Sequence, residues 1–210
     1  MATQDTREMI LEAATEAFAE LGYTAASVRE ICGRVGASPN AINYHFGSKQ
    51  ELYREIIEEF ASEQLELATR MLSKAPRSED DFALRLELFF TELLDSYLEN
   101  RDAIRILYRE FEQLVPHGAD GVVGQLTRVN EAISVFVASA IERGFVVEAI
   151  DPEVVAGLLL DRVANQARFT DAHATFFGVS TLDESYREHW IQATLQIVLH
   201  GICGTDRPAA

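Results

Sequence analysis

Residues 27–52 read SVREICGRVGASPNAINYHFGSKQEL, and the fold follows from how this stretch is punctuated. Ser27 followed by Glu30 is a capping box: the hydroxyl accepts from a first-turn N–H while the carboxylate reaches back to the cap's own N–H. A helix is expected to start there. Val28, Ile31, Cys32 and Val35 fall at i, i+3, i+4 and i+7 as one apolar stripe, and Gly36 can take the left-handed conformation that ends a helix. Ser38 is a good N-cap, and Pro39 suits a first helical position, where its missing N–H has no partner to lose. A second helix is therefore expected two residues beyond Gly36. On it Ile42 and Phe46 face inward, which leaves Asn40 and Tyr44 opposite, with Ala41 and Asn43 on the flanks. Gly47 stops this helix, and Ser48 with Glu51 makes another capping box for a long helix that follows. Two short helices joined by a tight turn have the spacing of a helix-turn-helix.

A second helix presented this way can enter the major groove, where an Asn side chain donates and accepts at adenine N6 and N7. Base contacts are expected from Asn40, Asn43, Tyr44 and Ala41. Ser27, Arg29, Ser38, Pro39, Tyr44, His45 and Lys49 are the expected phosphate contacts, and a helix N-terminus itself favours anions. As a bare pattern, the same residues equally suit a short solvated surface helix.

A wider match tips the balance. Residues 7–52, through REMILEAATEAFAELGY, SVREICGRVGAS and YHFGSKQELY, resemble the N-terminal domain of the TetR family of bacterial one-component regulators. The family's recognition helix carries a small residue and a Tyr where this chain has Asn40 and Asn43, whereas Tyr44, His45, Phe46 and Lys49 match. Those two departures bear on which operator is read. The variant AINYHFGSK also resembles the branch near the antibiotic-response regulator CecR. The resemblance implies a dimer, a palindromic DNA operator and a small-molecule effector.

Composition tests this reading. The chain has 210 residues, 48% of them hydrophobic, enough to bury one or two cores, and a net charge of −16. Such acidity is awkward for a DNA binder, whose Lys and Arg supply most of the affinity. Its distribution resolves the conflict: residues 1–49 hold four basic against six acidic residues, the remainder 14 against 28. Most of the head's acids lie on the first helix, whereas Arg29, Arg34 and Lys49 sit in or beside the expected DNA face. The acidic bulk would suppress non-specific binding.

Cys32 and Cys203 form no CxxC pair or zinc spacing, so a reducing, cytoplasmic setting is expected, with Cys32 a small core residue. The polar N-terminus MATQDTREM has no signal-peptide pattern, and no apolar run approaches the length of a membrane span. The five histidines are scattered, without HxxxH or HExxH spacing, and neither a nucleophile elbow nor a phosphate-cradling glycine loop occurs. We expect no enzyme, no catalytic residues, no metal and no cofactor.

Along the chain, a first helix is expected over residues 6–21, with Ile10, Ala13, Ala14, Ala17, Phe18 and Leu21 on one stripe. Helix 48–72 would connect head to body. Breakers at KAPRSEDD, VPHGADGVVG, GFVVEAIDP and HATFFGVSTLD leave helices near 79–98, 101–114, 121–143, 152–171 and 183–202. The expected fold is all-α: a three-helix helix-turn-helix head, residues 1–48, and a helical effector-binding and dimerisation domain, residues 49–210.

Two features of the body point to partners. VVAGLLL in helix 152–171 is apolar around most of its circumference, and the last helix has a broad apolar face. A two-fold four-helix interface is expected from Val155, Leu159, Arg162, Trp190, Ile191, Leu195, Val198 and Ile202, an ordinary monomeric core being the alternative. Aromatic density suggests a pocket for an apolar or aromatic effector lined by Phe89, Tyr108, Phe111, Phe136, Arg162, Asn165 and Phe169, although aromatics at helical spacing also build ordinary cores. The sequence thus points to a dimeric, ligand-responsive repressor. Its rival is a small-molecule-binding or scaffolding helical protein whose acidic head has weak or lost DNA binding.

Overall fold

The computed structural model describes residues 2–113 and 120–202, with side chains described for 6–109 and 123–199. Among the described residues there are ten helices and no strand, one helix more than the periodicity predicts. They are α1 (Ala2–Leu21), α2 (Val28–Arg34), α3 (Asn40–Phe46), α4 (Lys49–Leu72), α5 (Glu79–Glu99), α6 (Arg101–Gln113), α7 (Asp120–Glu142), α8 (Pro152–Arg168), α9 (Thr170–Phe177) and α10 (Glu184–Ile202). None of the described helices is long and apolar enough to cross a membrane.

The described residues fall into two compact units. The first comprises those of Met1–Glu63 and Asn100–Gln125, the second those of Gln64–Glu99 and Leu126–Ala210. This grouping differs from the head-and-body division expected at residue 48, because α6 packs on α1 and joins the first unit.

In the first unit, α1 buries Ile10, Ala13, Ala14, Ala17 and Phe18 as the 3.6-residue period requires. Leu21, expected on the same stripe, is 43% exposed. It sits on the last turn, just before Gly22, whose φ of 81° turns the chain away. From α2, Ile31 and Cys32 are buried, and from α3, Ile42 and Phe46. Tyr53 packs edge-on against Phe18, with ring centroids 5.0 Å apart, and Leu52, Ile56 and Ile57 complete this core from α4.

In the second unit, α5 packs against α8 and α10. Its buried Phe82, Leu86, Phe89, Phe90, Leu93 and Leu94 form a stripe spaced by three and four residues, each contributing about 1.5–3 kcal/mol on burial. Phe82 stacks on Phe136 of α7 at 5.3 Å, and Phe90 lies parallel to Trp190 of α10 at 5.7 Å. The Arg162 guanidinium lies over the Trp190 ring, 4.5 Å from its centroid.

The chain departs from the sequence expectation between residues 169 and 183. One helix to residue 171 followed by a loop is expected, but the structure ends α8 at Arg168 and adds α9. Phe169 leaves helical geometry at φ −105° and ψ 11°. The buried Thr170 hydroxyl is held 3.0 Å from that of Thr181, and Gly178 at φ 67° stops α9. Tethering by a residue eleven positions away lies beyond any local period.

Candidate nucleic-acid interface

The caps that define α2 and α4 form, though only in half. Ser27 Oγ accepts from Glu30 N–H at 3.1 Å, and Ser48 Oγ accepts from Glu51 N–H at 3.1 Å. The reciprocal carboxylate bonds are replaced by ion pairs within the helices, Glu30 with Arg34 and Glu51 with Arg54. A hydroxyl that accepts still has its own proton to give, so Ser27 keeps a donor for an anion. At the start of α3, Pro39 occupies the cap position and no side chain caps the helix, whereas Ser38 was the expected cap. Ser38 contributes through its backbone, its carbonyl accepting from Ala41 N–H at 2.9 Å.

The face of α3 turned away from the core carries Asn40, Asn43 and Tyr44, all exposed, Tyr44 at 75%. Residues i, i+3 and i+4 of a helix are neighbours on one side, so two amides and a phenol converge there. Ala41 and His45 are half-buried at the edges, and the His45 ring meets Tyr44 edge-on at 4.8 Å. Ser38 and Pro39 are exposed at the open N-terminal end, and Arg29 is exposed on α2. Each expected base contact therefore lies on or beside one short helix face.

Two cations behave differently from each other. Arg34, expected beside this face, is drawn into carboxylates: Glu20 at 2.6 Å, Glu30 at 3.5 Å and Glu16 at 3.6 Å. The hydrogen bond from Arg34 holds the Glu20 carboxyl below its ordinary range. Arg34 thus ties α1 to α2, and its charge is already shared among three acids. Lys49, at the start of α4, instead seats its ammonium 4.4 Å from the Tyr23 ring centroid and 5.9 Å from that of Phe18. Partial burial lowers its pKa, while the ring faces attract the cation. Tyr53 packs edge-on against both of these rings and supports the cage, a feature the sequence reading missed because only the tertiary fold brings the rings together. Cys32 is buried, and desolvation pushes its thiol up, which suits the expected core role.

Within this frame, residues 10–56 match the family described as "Bacterial regulatory proteins, tetR family". A stretch of 92 residues is 34% identical to the HTH-type transcriptional repressor AcnR of Corynebacterium efficiens, covering 40% of this chain and 49% of that protein. Residues 10–56 thus carry a TetR-family head. The HTH-type transcriptional regulator YhgD of Bacillus subtilis is 27% identical over 163 residues, 74% of this chain and 79% of YhgD. The ketosteroid transcriptional regulator KstR2 of Mycobacterium tuberculosis shares the fold, with a TM-score of 0.74 at 21% identity over 94% of each chain. The chain spans about half the length of the first curated relatives it matches. The TetR match thus covers the segment whose outward face carries Asn40 and Asn43.

The body residues fall apart into separate groups. Of the expected effector pocket, Phe89 and Phe136 are buried in the core of the second unit, whereas Arg162, Asn165 and Phe169 are exposed. Helical geometry explains the split: Arg162 and Asn165 share the open side of α8 and Phe169 lies just beyond its end, while Val155, Leu159 and Val163 occupy the buried side. Tyr108 is half-buried on α6 of the first unit, and the side chain of Phe111 lies outside the described residues. The expected interface needs a similar correction. Val155, Leu159, Trp190, Ile191, Leu195 and Val198 are buried within the chain's own core, and the Ile202 side chain lies outside the described residues. Of the expected set, Arg162 is exposed. Val154 (64%), Leu158 (51%) and Ile197 (76%) are the apolar groups left open, beside Asp161, Asn165 and Thr194 in a groove of about 770 Å³ between α8 and α10. Val154, Leu158, Arg162 and Asn165 follow each other by four, four and three residues, a stripe visible on a helical wheel.

Proposed function

We propose that this chain is a dimeric DNA-binding transcriptional repressor, released from a palindromic operator by a small-molecule effector. The observation that carries it is the exposed triplet Asn40, Asn43 and Tyr44 on a short helix that buries Ile42 and Phe46 behind it. That arrangement presents two amides able to bond bidentately to adenine and a phenol able to reach phosphate or base. Ser27, Arg29, Ser38, Pro39, His45 and Lys49 surround it as phosphate contacts. Repressor function is supported by the likeness to AcnR, and the effector we propose is an apolar or aromatic small molecule. The regulator works in the cytoplasm, without cofactor. Placement near the CecR-like branch rests on AINYHFGSK.

A dimer is required by a palindromic site, and the open α8 and α10 groove is the surface we assign to it. Effector binding in the helical body, residues 49–210, would alter α4 and hence the separation of two recognition helices held about 34–36 Å apart. Footprinting on DNA upstream of the chain's own gene, with salt titration, tests the reading. A protected palindrome whose affinity falls with salt is expected. Absent or sequence-independent binding at low salt supports the scaffolding alternative instead.

A further inference from the structure

We infer that Arg109 of α6 is a positioning residue for Lys49, acting through the last carbonyls of α1 and the aromatic cage built on Phe18. The inference rests on the DNA-binding reading above, but the residue lies outside the matched segment 10–56. The last turn of a helix has carbonyls without intrahelical donors. Arg109 Nη1 donates to Phe18 O at 3.0 Å and Nη2 to Ala19 O at 2.9 Å, so one planar fork bridges two successive carbonyls. Its charge also complements the negative end of the α1 dipole. Phe18 O already accepts from Gly22 N–H at 2.9 Å, which fixes the same atom from two directions.

Gly22 completes the device. At φ 81° it suits a residue without a side chain, and a Cβ there would stand 3.1 Å from Arg109 Nη1, closer than ordinary packing. The backbone gripped in this way carries the Phe18 ring, which lies 5.0 Å from Tyr53 and 5.9 Å from Tyr23, while the two tyrosines are 4.8 Å apart. Lys49 Nζ rests on Tyr23 and Phe18. A free lysine surrenders substantial rotamer entropy when it meets a phosphate, and a ring seat removes part of that cost in advance. Arg109 thereby holds the seat in place from a helix that supplies no expected DNA contact.

The test uses the full chain carrying Arg109→Ala. Without DNA, NMR of the Lys49 ε-methylene reads the ring currents of the cage, and R109A should move it toward the position of an exposed lysine. With a mixed-sequence duplex, the slope of log affinity against log salt should fall by about 0.9, the value of one lost phosphate contact. Lys49→Ala added to R109A should then cost less than Lys49→Ala alone. An unmoved Lys49 resonance in folded R109A, or additive losses, overturns the inference. Should R109A not fold, R109K keeps the stem and charge but not the two-pronged fork, and the same readouts apply. If the wild-type chain binds no duplex, the functional reading fails, while the resonance still decides the role of Arg109.

Discussion

The outward face of α3 and that of α8 are both left open by the chain's own core, yet their chemistry is opposite. On α3 the open positions are Asn40, Asn43 and Tyr44; on α8 they begin with Val154 and Leu158 before turning polar at Asp161, Arg162 and Asn165. Exposed amides cost nothing in water and gain directional bonds against base edges. Exposed valine and leucine gain only by leaving water, which suits another protein surface with matching groups. We therefore read the first face as the DNA surface and the second as the self-association surface.

The largest expected effect separates the two faces. Leu158→Arg would place a charge within one helical turn of Arg162 in the α8 and α10 groove, weakening self-association by about 2–5 kcal/mol. Sedimentation at micromolar concentration should show a dimer for the wild type and a monomer for the variant. An unchanged dimer would move the interface elsewhere, and a monomeric wild type would end the dimer proposal.

Next, Asn40→Ala or Asn43→Ala should lower affinity by about 1–3 kcal/mol at particular base pairs while leaving the dimer intact. Competition with single-base operator variants measures this. A loss equal across all sequences would demote the pair to phosphate contacts.

Ser27→Ala removes the acceptor for Glu30 N–H at the start of α2. Stability should fall by about 1 kcal/mol with base preference kept. A thermal melt and the same competition series check both halves, and a shifted base preference would give Ser27 a direct reading role.

The smallest effect concerns pH. Because burial lowers the Lys49 pKa, its neutral form appears at lower pH than for a free lysine. A neutral amine holds phosphate poorly, so DNA affinity should start to fall over the pH range just below that in which ordinary lysines titrate. For folding the sign is reversed: the charged ammonium is disfavoured in the fold, a penalty present at lower pH and relieved as pH rises toward the unfolded value. Fluorescence anisotropy across this range should show the affinity loss, and Lys49→Ala should abolish that component. An identical pH profile in the variant would contradict it.

Local rules account for much of the molecule. Caps at Ser27 and Ser48, stops at Gly36 and Gly47, and the period of Ile31, Cys32, Ile42 and Phe46 place α2, α3 and the start of α4 from sequence, because each depends on residues within one or two turns. The same locality put Asn40, Asn43 and Tyr44 on one outward face. Other features required the folded chain. The period marked α8 and α10 as apolar, but only packing against α5 shows that Val155, Leu159 and Trp190 are spent on the chain's own core, leaving Val154, Leu158 and Ile197 open. Arg34 reads as a free cation until the fold sets Glu20 beside it, and the break at Phe169 depends on the Thr170 to Thr181 contact. The union of α6 with α1 through Arg109 spans some ninety residues, a separation that no helical period encodes. What the sequence by itself determined was the set of helices and the polar reading face, since caps and periods act over a few residues. Which apolar and charged groups were left available was decided by tertiary structure alone, because burial and ion pairing depend on neighbours far away along the chain.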